Sequence, residues 1–128
     1  MQDAPDADAL LQAVAEFLRQ QAAGQPQGHS AFHARVAANL VDAVRRQMAL
    51  APAAEADELR RLRALLASDG SLLELNRLLC RRIAGGEMGW ATPGLKEHLR
   101  ATTMDKLAVD QPGYSTYRRW LARGKEQG

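Results

Sequence analysis

The sequence predicts an all-α fold: one helical-bundle domain over residues 1–128, made of about five helices plus a short C-terminal helix. Three observations predict it. Apolar residues recur every third or fourth position along most of the chain, Gly/Pro clusters separate these stretches, and no alternating run of β-branched or aromatic residues reads as a strand. Aromatics make up only 5% of the chain, so its core must come from Leu, Ala, Val and Met, a composition that favours helix. At 128 residues the chain is one domain's worth and folds without covalent staples.

The first segment runs from about Asp6 to Ala23, with Leu10, Leu11, Val14, Phe17 and Leu18 on one stripe. Asp6 or Asp8 caps it, where a negative charge suits the positive end of the helix dipole. "GQPQG" (24–28) breaks the chain, and a second helix follows from about His29 to Leu50. "APAAEADELRRLRALLA" reads as a third, with Pro52 at a first helical position and Leu59, Leu62, Leu65 and Leu66 facing inward. Asp69 and Gly70 turn the chain, and Ser71 with Glu74 has the spacing of a capping box. The fourth, "LLELNRLLCRRIA", is apolar around most of its circumference, which predicts central burial or a partner chain on one side. Thr92 and Pro93 pair as N-cap and first turn of the fifth, which stops before Pro112. "GYSTYRRWLARGKEQG" gives a turn, one short helix and a tail that frays from about residue 122.

Charge excludes several function classes. Seventeen basic against fifteen acidic residues leave a net charge of +2. The pairs Arg45-Arg46, Arg60-Arg61, Arg81-Arg82 and Arg118-Arg119 are scattered and interleaved with acids, a solvated-face pattern and not a nucleic-acid footprint. Cys80 is the only cysteine, so no internal disulfide forms, and it reads as a small buried hydrophobe and not a nucleophile. The acidic start "MQDAPDAD" is not a secretory signal and no apolar run approaches a membrane span, so a cytoplasmic location away from membranes is expected. No P-loop, GxGxxG or GxSxG occurs. His29 and His33 stand four apart, a spacing that can share a metal, but no third ligand is fixed by any motif. Neither a metal nor a cofactor is expected, and the chain reads more as a non-enzyme than an enzyme.

The polar residues of "HSAFHARVAANLVDAVRR" (29–46) are the exception to a plain amphipathic pattern. His33 or Asn39 falls at the border of the face that packs inward, beside Phe32, Val36 and Leu40. Buried polar groups need partners, and Asn76, Asp105 and Asp110 on later helices can supply them to His33, Arg35 and Asn39. Such a network either fixes helix register or forms a ligand site. The tail gathers Tyr114, Tyr117 and Trp120, which either cover one end of the bundle or form a contact surface.

"FHARVAANL", "LNRLLCRRI" and "HLRATTMDKLAVDQPGYSTY" together resemble an uncharacterised bacterial family, a domain of unknown function of about this length. The matching positions include Phe32, His33, Arg35, Val36, Ala38, Asn39, Leu75, Asn76, Leu99, Lys106, Leu107, Asp110, Pro112, Tyr114, Ser115 and Tyr117. Gln111, Gly113 and Thr116 stand where that pattern has Asn, Arg and Gly. The family is encoded beside, or attached to, aminoglycoside-phosphotransferase-like and acyl-CoA-dehydrogenase-like proteins, so the resemblance implies an accessory partner of such a system. It also singles out His33, Arg35, Asn39, Lys106 and Asp110.

Two functions are therefore expected. The first is a helical accessory or interaction module that binds a phosphotransferase-like or acyl-CoA-handling enzyme, or its own copy as a homo-oligomer. The alternative is a small-molecule-binding protein or enzyme with a polar pocket between the second and fifth helices, built on His33, Arg35, Lys106 and Asp110.

Overall fold

Among the described residues five helices form and there is no strand, so the all-α class holds with one helix fewer than the spacing suggested. They are α1 (Ala7–Ala23), α2 (His29–Leu66), α3 (Leu72–Ala84), α4 (Leu95–Asp110) and α5 (Ser115–Glu126). The computed structural model describes residues 5–24 and 28–126, without the side chains of 125 and 126; most of the expected "GQPQG" break lies outside them. The chain divides into two compact units, residues 1–49 and 50–128, and α2 contributes to both.

The second and third expected helices are one continuous 38-residue helix, with Pro52 inside it. Proline already holds a helical φ, and its cost is the hydrogen bond the Met48 carbonyl loses and the ring's fit against it. The surrounding "ALAPAAEA" contains no Gly or Asn to turn the chain, and alanine has the highest helix propensity, so the helix continues. The last helix likewise continues past 122, to Glu126.

In the first unit α1 and the start of α2 run antiparallel. Asp8, near the start of α1, accepts from Arg45, while Ala22 and Ala23 at its end lie beside Arg35 and Asn39. The buried positions are all alanines: Ala15 and Ala22 on α1, Ala31 and Ala38 on α2. Their small side chains allow the backbones to approach closely, but they bury little apolar area.

The second unit has a leucine core. Leu62 and Leu66 of α2, Leu75 and Leu79 of α3, Met88 of the following loop and Leu95 of α4 form one buried cluster. The expected capping box is present: Glu74 N–H donates to Ser71 Oγ, and Ser71 N–H to Glu74 Oε2 at 2.8 Å. The end of α2 is closed by side chains, since Ser68 Oγ and Arg82 Nη1 both donate to the Leu66 carbonyl at 3.1 Å. Ala67 then takes a left-handed φ of 47°, where glycine is usual.

Two local expectations change. One face of α3 packs on Leu75 and Leu79, while Leu73, Ile83 and Cys80 stay exposed, so the helix is not buried all round and Cys80 is a surface thiol. Helix α4 starts at Leu95 and not at Pro93. The Thr92 hydroxyl accepts from Gly89 N–H at 2.9 Å, within the loop, and makes no bond to the first turn of the helix. The N-cap is Gly94, left-handed at φ 84°, and no side chain caps the helix.

Candidate functional site

The residues singled out in the sequence divide between the units. His33, Arg35 and Asn39 belong to the first; Asn76, Asp105, Lys106, Asp110, Tyr114, Tyr117 and Trp120 belong to the second.

Within the first unit, His33 and Asn39 are exposed, where the sequence suggested an inward-facing border. The alanines set which stripe of α2 meets α1: Ala31 and Ala38 face it, so Phe32, Val36 and Leu40 turn outward and carry the polar residues with them. The His33 ring lies beside those of His29 and Phe32, at centroid distances of 6.1 and 5.9 Å. Among the described residues no group of three or more potential metal ligands collects. Arg35 and Asn39 line an open hollow of about 280 Å³ together with Arg19, Ala22 and Ala23.

This polar flank is bound together by charge. Arg45 donates to both Asp8 oxygens and also meets Asp42, which pairs with Arg19. The Arg45 contact holds the Asp8 carboxyl below its ordinary range, and Arg19, then Arg45, do the same for Asp42. The carboxylates in turn raise Arg45. On the opposite flank of α1 lie Leu10, Val14 and Phe17, and on the matching side of α2 Leu40, Val44 and Met48, all of them large, apolar and exposed.

Within the second unit, Asn76 Nδ2 donates to Glu58 Oε1 at 2.9 Å and to the Leu72 carbonyl at 3.1 Å, tying α3 to α2. Asp105 accepts from Arg61 Nη2 at 3.4 Å, and the same nitrogen reaches Thr102 Oγ1. Lys106 and Asp110 are exposed. Tyr114 and Trp120 are partly open to solvent, and the Arg100 guanidinium sits 4.6 Å from the Trp120 ring, an α4–α5 contact of cation–π type.

The most chemically marked feature of this unit is a histidine of the expected fifth helix that the sequence offers only as a polar partner or third metal ligand and not as a site residue. His98, on the second turn of α4, is only 3% exposed, the single buried polar residue among those described. Its Nδ1 is buried without a hydrogen-bond partner in the protein, and so is Nε of Arg61. Both side chains line one cleft of about 470 Å³, walled by Ala64, Leu65 and Pro93, with Glu97 at its edge. Burial, and then the nearby Arg61 charge, pull the His98 pKa below that of a free imidazole, with Glu58 opposing. Its imidazole is therefore neutral at pH 7. A sign was visible in the sequence: His98 stands one position from Leu99 and three from Leu95, on the edge of the inward face. Arg61, read with Arg60 as part of a solvated face, is in fact half-buried beside His98.

A domain of unknown function, DUF6285, matches residues 24–114. The chain belongs to the DUF6285 family. No curated protein and no solved structure matches it. The DUF6285 match takes in all of α2, α3 and α4, and with them both walls of the Arg61–His98 cleft. It ends at Tyr114, so α1 and the Tyr117 and Trp120 side chains of α5 lie outside it. Among the described residues, no helix of this DUF6285 chain is long and apolar enough to cross a membrane.

Proposed function

We propose that this DUF6285 chain is a cytoplasmic protein-interaction module whose first unit pairs with the first unit of a second copy. The observation that carries the reading is the outward flank of α1 and α2. Two helices joined through four buried alanines leave Leu10, Val14, Phe17, Leu40, Val44 and Met48 each between 46% and 62% exposed. Together these six side chains present a patch of mostly apolar surface on the order of several hundred Å² on one flank of the helix pair. Monomeric proteins rarely keep so large an apolar patch in water. Two such helix pairs brought face to face about a two-fold axis form a four-helix bundle, with the charged Arg45–Asp8–Asp42–Arg19 flank left to solvent.

The test is the solution mass of the full chain by sedimentation. The expected value is twice 14.0 kDa for the wild type, falling to 14.0 kDa in the Phe17→Glu/Leu40→Glu variant with helical circular dichroism unchanged. A wild type that stays at 14.0 kDa at every protein concentration up to about 1 mM refutes the pairing. The family resemblance supports a different occupant, a phosphotransferase-like or acyl-CoA-handling enzyme. Capture of such an enzyme by the wild type but not by the double variant would favour that reading over the homodimer.

A further inference from the structure

We infer that His29 and His33, at the start of α2, form a chelating site for a divalent transition-metal ion of the class imidazole prefers, Zn²⁺, Ni²⁺ or Cu²⁺. The two residues stand four apart in a continuous helix, so both side chains leave the same face one turn apart. Their ring centroids lie 6.1 Å apart, and both residues are exposed. An imidazole nitrogen binds zinc at about 2.0–2.1 Å, so one ion between the rings needs only rotamer changes that exposed side chains make freely. A neutral imidazole always keeps one nitrogen lone pair for a metal. Among the described residues neither ring has a hydrogen bond or an ion pair to give up. Their ring contacts are with each other and, for His33, with Phe32.

The surroundings narrow the choice of ion. The next positions along that stripe, Val36, Ala37 and Leu40, are uncharged, so the stripe offers no cation to repel the ion and none of the carboxylate oxygens that suit Mg²⁺ and Ca²⁺. His29 is the first residue of α2, where the helix dipole opposes a cation, an effect of about a few-fold at a solvated surface. Two imidazoles on one ion outweigh it. Among the described residues no third potential ligand joins the pair, so a bound ion keeps open positions for water or for a group from a partner. His98 and Cys80 belong to the second unit and take no part. Leu40, where the apolar patch begins on α2, lies seven residues beyond His33, a rise of about 10 Å, so the site stands or falls independently of pairing between copies.

The experiment is a titration of the full chain at pH 7.5 with Zn²⁺, Cu²⁺ and Mg²⁺. Calorimetry measures affinity, and nuclear magnetic resonance of the imidazole nitrogens locates Zn²⁺. Zn²⁺ is expected to shift the His29 and His33 nitrogens saturably, with a Kd of about tens to hundreds of micromolar, and to leave those of His98 in place. Cu²⁺ should bind at least about tenfold more tightly, following the general order of divalent metals, and Mg²⁺ should not bind. His29→Gln should weaken Zn²⁺ binding at least about tenfold. So should His33→Ala/Val36→His, which keeps two histidines on the stripe but sets them two turns, about 10 Å, apart, beyond the reach of one ion. Cys80→Ser should leave binding unchanged. A Zn²⁺ Kd above about 1 mM overturns the inference, as does undiminished binding in either histidine variant or its loss in Cys80→Ser. So does Cu²⁺ binding no tighter than Zn²⁺, or Mg²⁺ binding as tight.

Discussion

Replacing His98 with leucine should make this protein more stable, although it removes a buried side chain from a packed helix. The reason lies in what the imidazole lacks. At 3% exposure it has given up water, and its Nδ1 has gained no partner in exchange. An unsatisfied buried group of this kind costs about 1–3 kcal/mol, and an apolar side chain of similar size has no such cost. Leucine fills much of the same space beside Leu65 and Ala64 of the cleft wall. Allowing for imperfect shape, we expect His98→Leu to gain about 1–2 kcal/mol at pH 7.5.

The gain should grow in acid, and the sign follows from linkage. The folded His98 pKa lies below that of the unfolded imidazole, through burial and the Arg61 charge acting against Glu58. The unfolded chain therefore binds the proton first. The contribution of His98 is undiminished above about pH 7 and is lost as pH falls from about 6.5 through the lower folded value. Leucine does not titrate. Urea unfolding followed by circular dichroism at pH 7.5, 6.5 and 5.5 measures both effects, with the variant's advantage widening toward pH 5.5. A variant less stable than wild type at pH 7.5, or an advantage constant across the three pH values, would refute the reasoning. The first result would mean that His98 is satisfied in the folded protein, the second that folding does not shift its titration.

Two further perturbations test the fold around this cleft. Leu62 is fully buried at the centre of the leucine cluster, so Leu62→Ala should cost about 2–5 kcal/mol in urea unfolding; a loss under 1 kcal/mol would place Leu62 outside the core. Ala67 ends α2 at φ 47°, a conformation that burdens any residue with a Cβ by roughly 1–2 kcal/mol. Ala67→Gly should therefore raise stability by about 0.5–1 kcal/mol after glycine's extra unfolded-state entropy is subtracted, and a destabilised variant would show that the left-handed turn is not there.

The all-α class was legible because leucines and alanines at helical spacing leave no other way to bury themselves, and the Ser71–Glu74 box was legible because its bonds are local. Pro52 was misread because a stop signal was inferred from one residue, while continuation depended on the alanines around it. The start of α4 differs from the Thr92–Pro93 reading because Thr92 bonds Gly89 N–H inside the loop, a contact without periodicity, and the helix opens on a left-handed Gly94. The polar stretch around His33 misled for a related reason. Phe32, Val36 and Leu40 have the larger side chains, so they look like the inward stripe, yet the helix pair closes on Ala31 and Ala38.

That choice links the sequence to both functional readings. When alanines close a helix pair, its large apolar residues are left over, and leftover apolar area asks for another chain. The second unit shows the opposite allocation: its leucines close the core, and what remains unsatisfied is polar, the buried Arg61 Nε and His98 Nδ1. A fold that resolves every local preference leaves nothing to recognise a partner with. Here one unit departs from that consistency with exposed hydrocarbon and the other with buried hydrogen-bonding groups left without a partner in the protein.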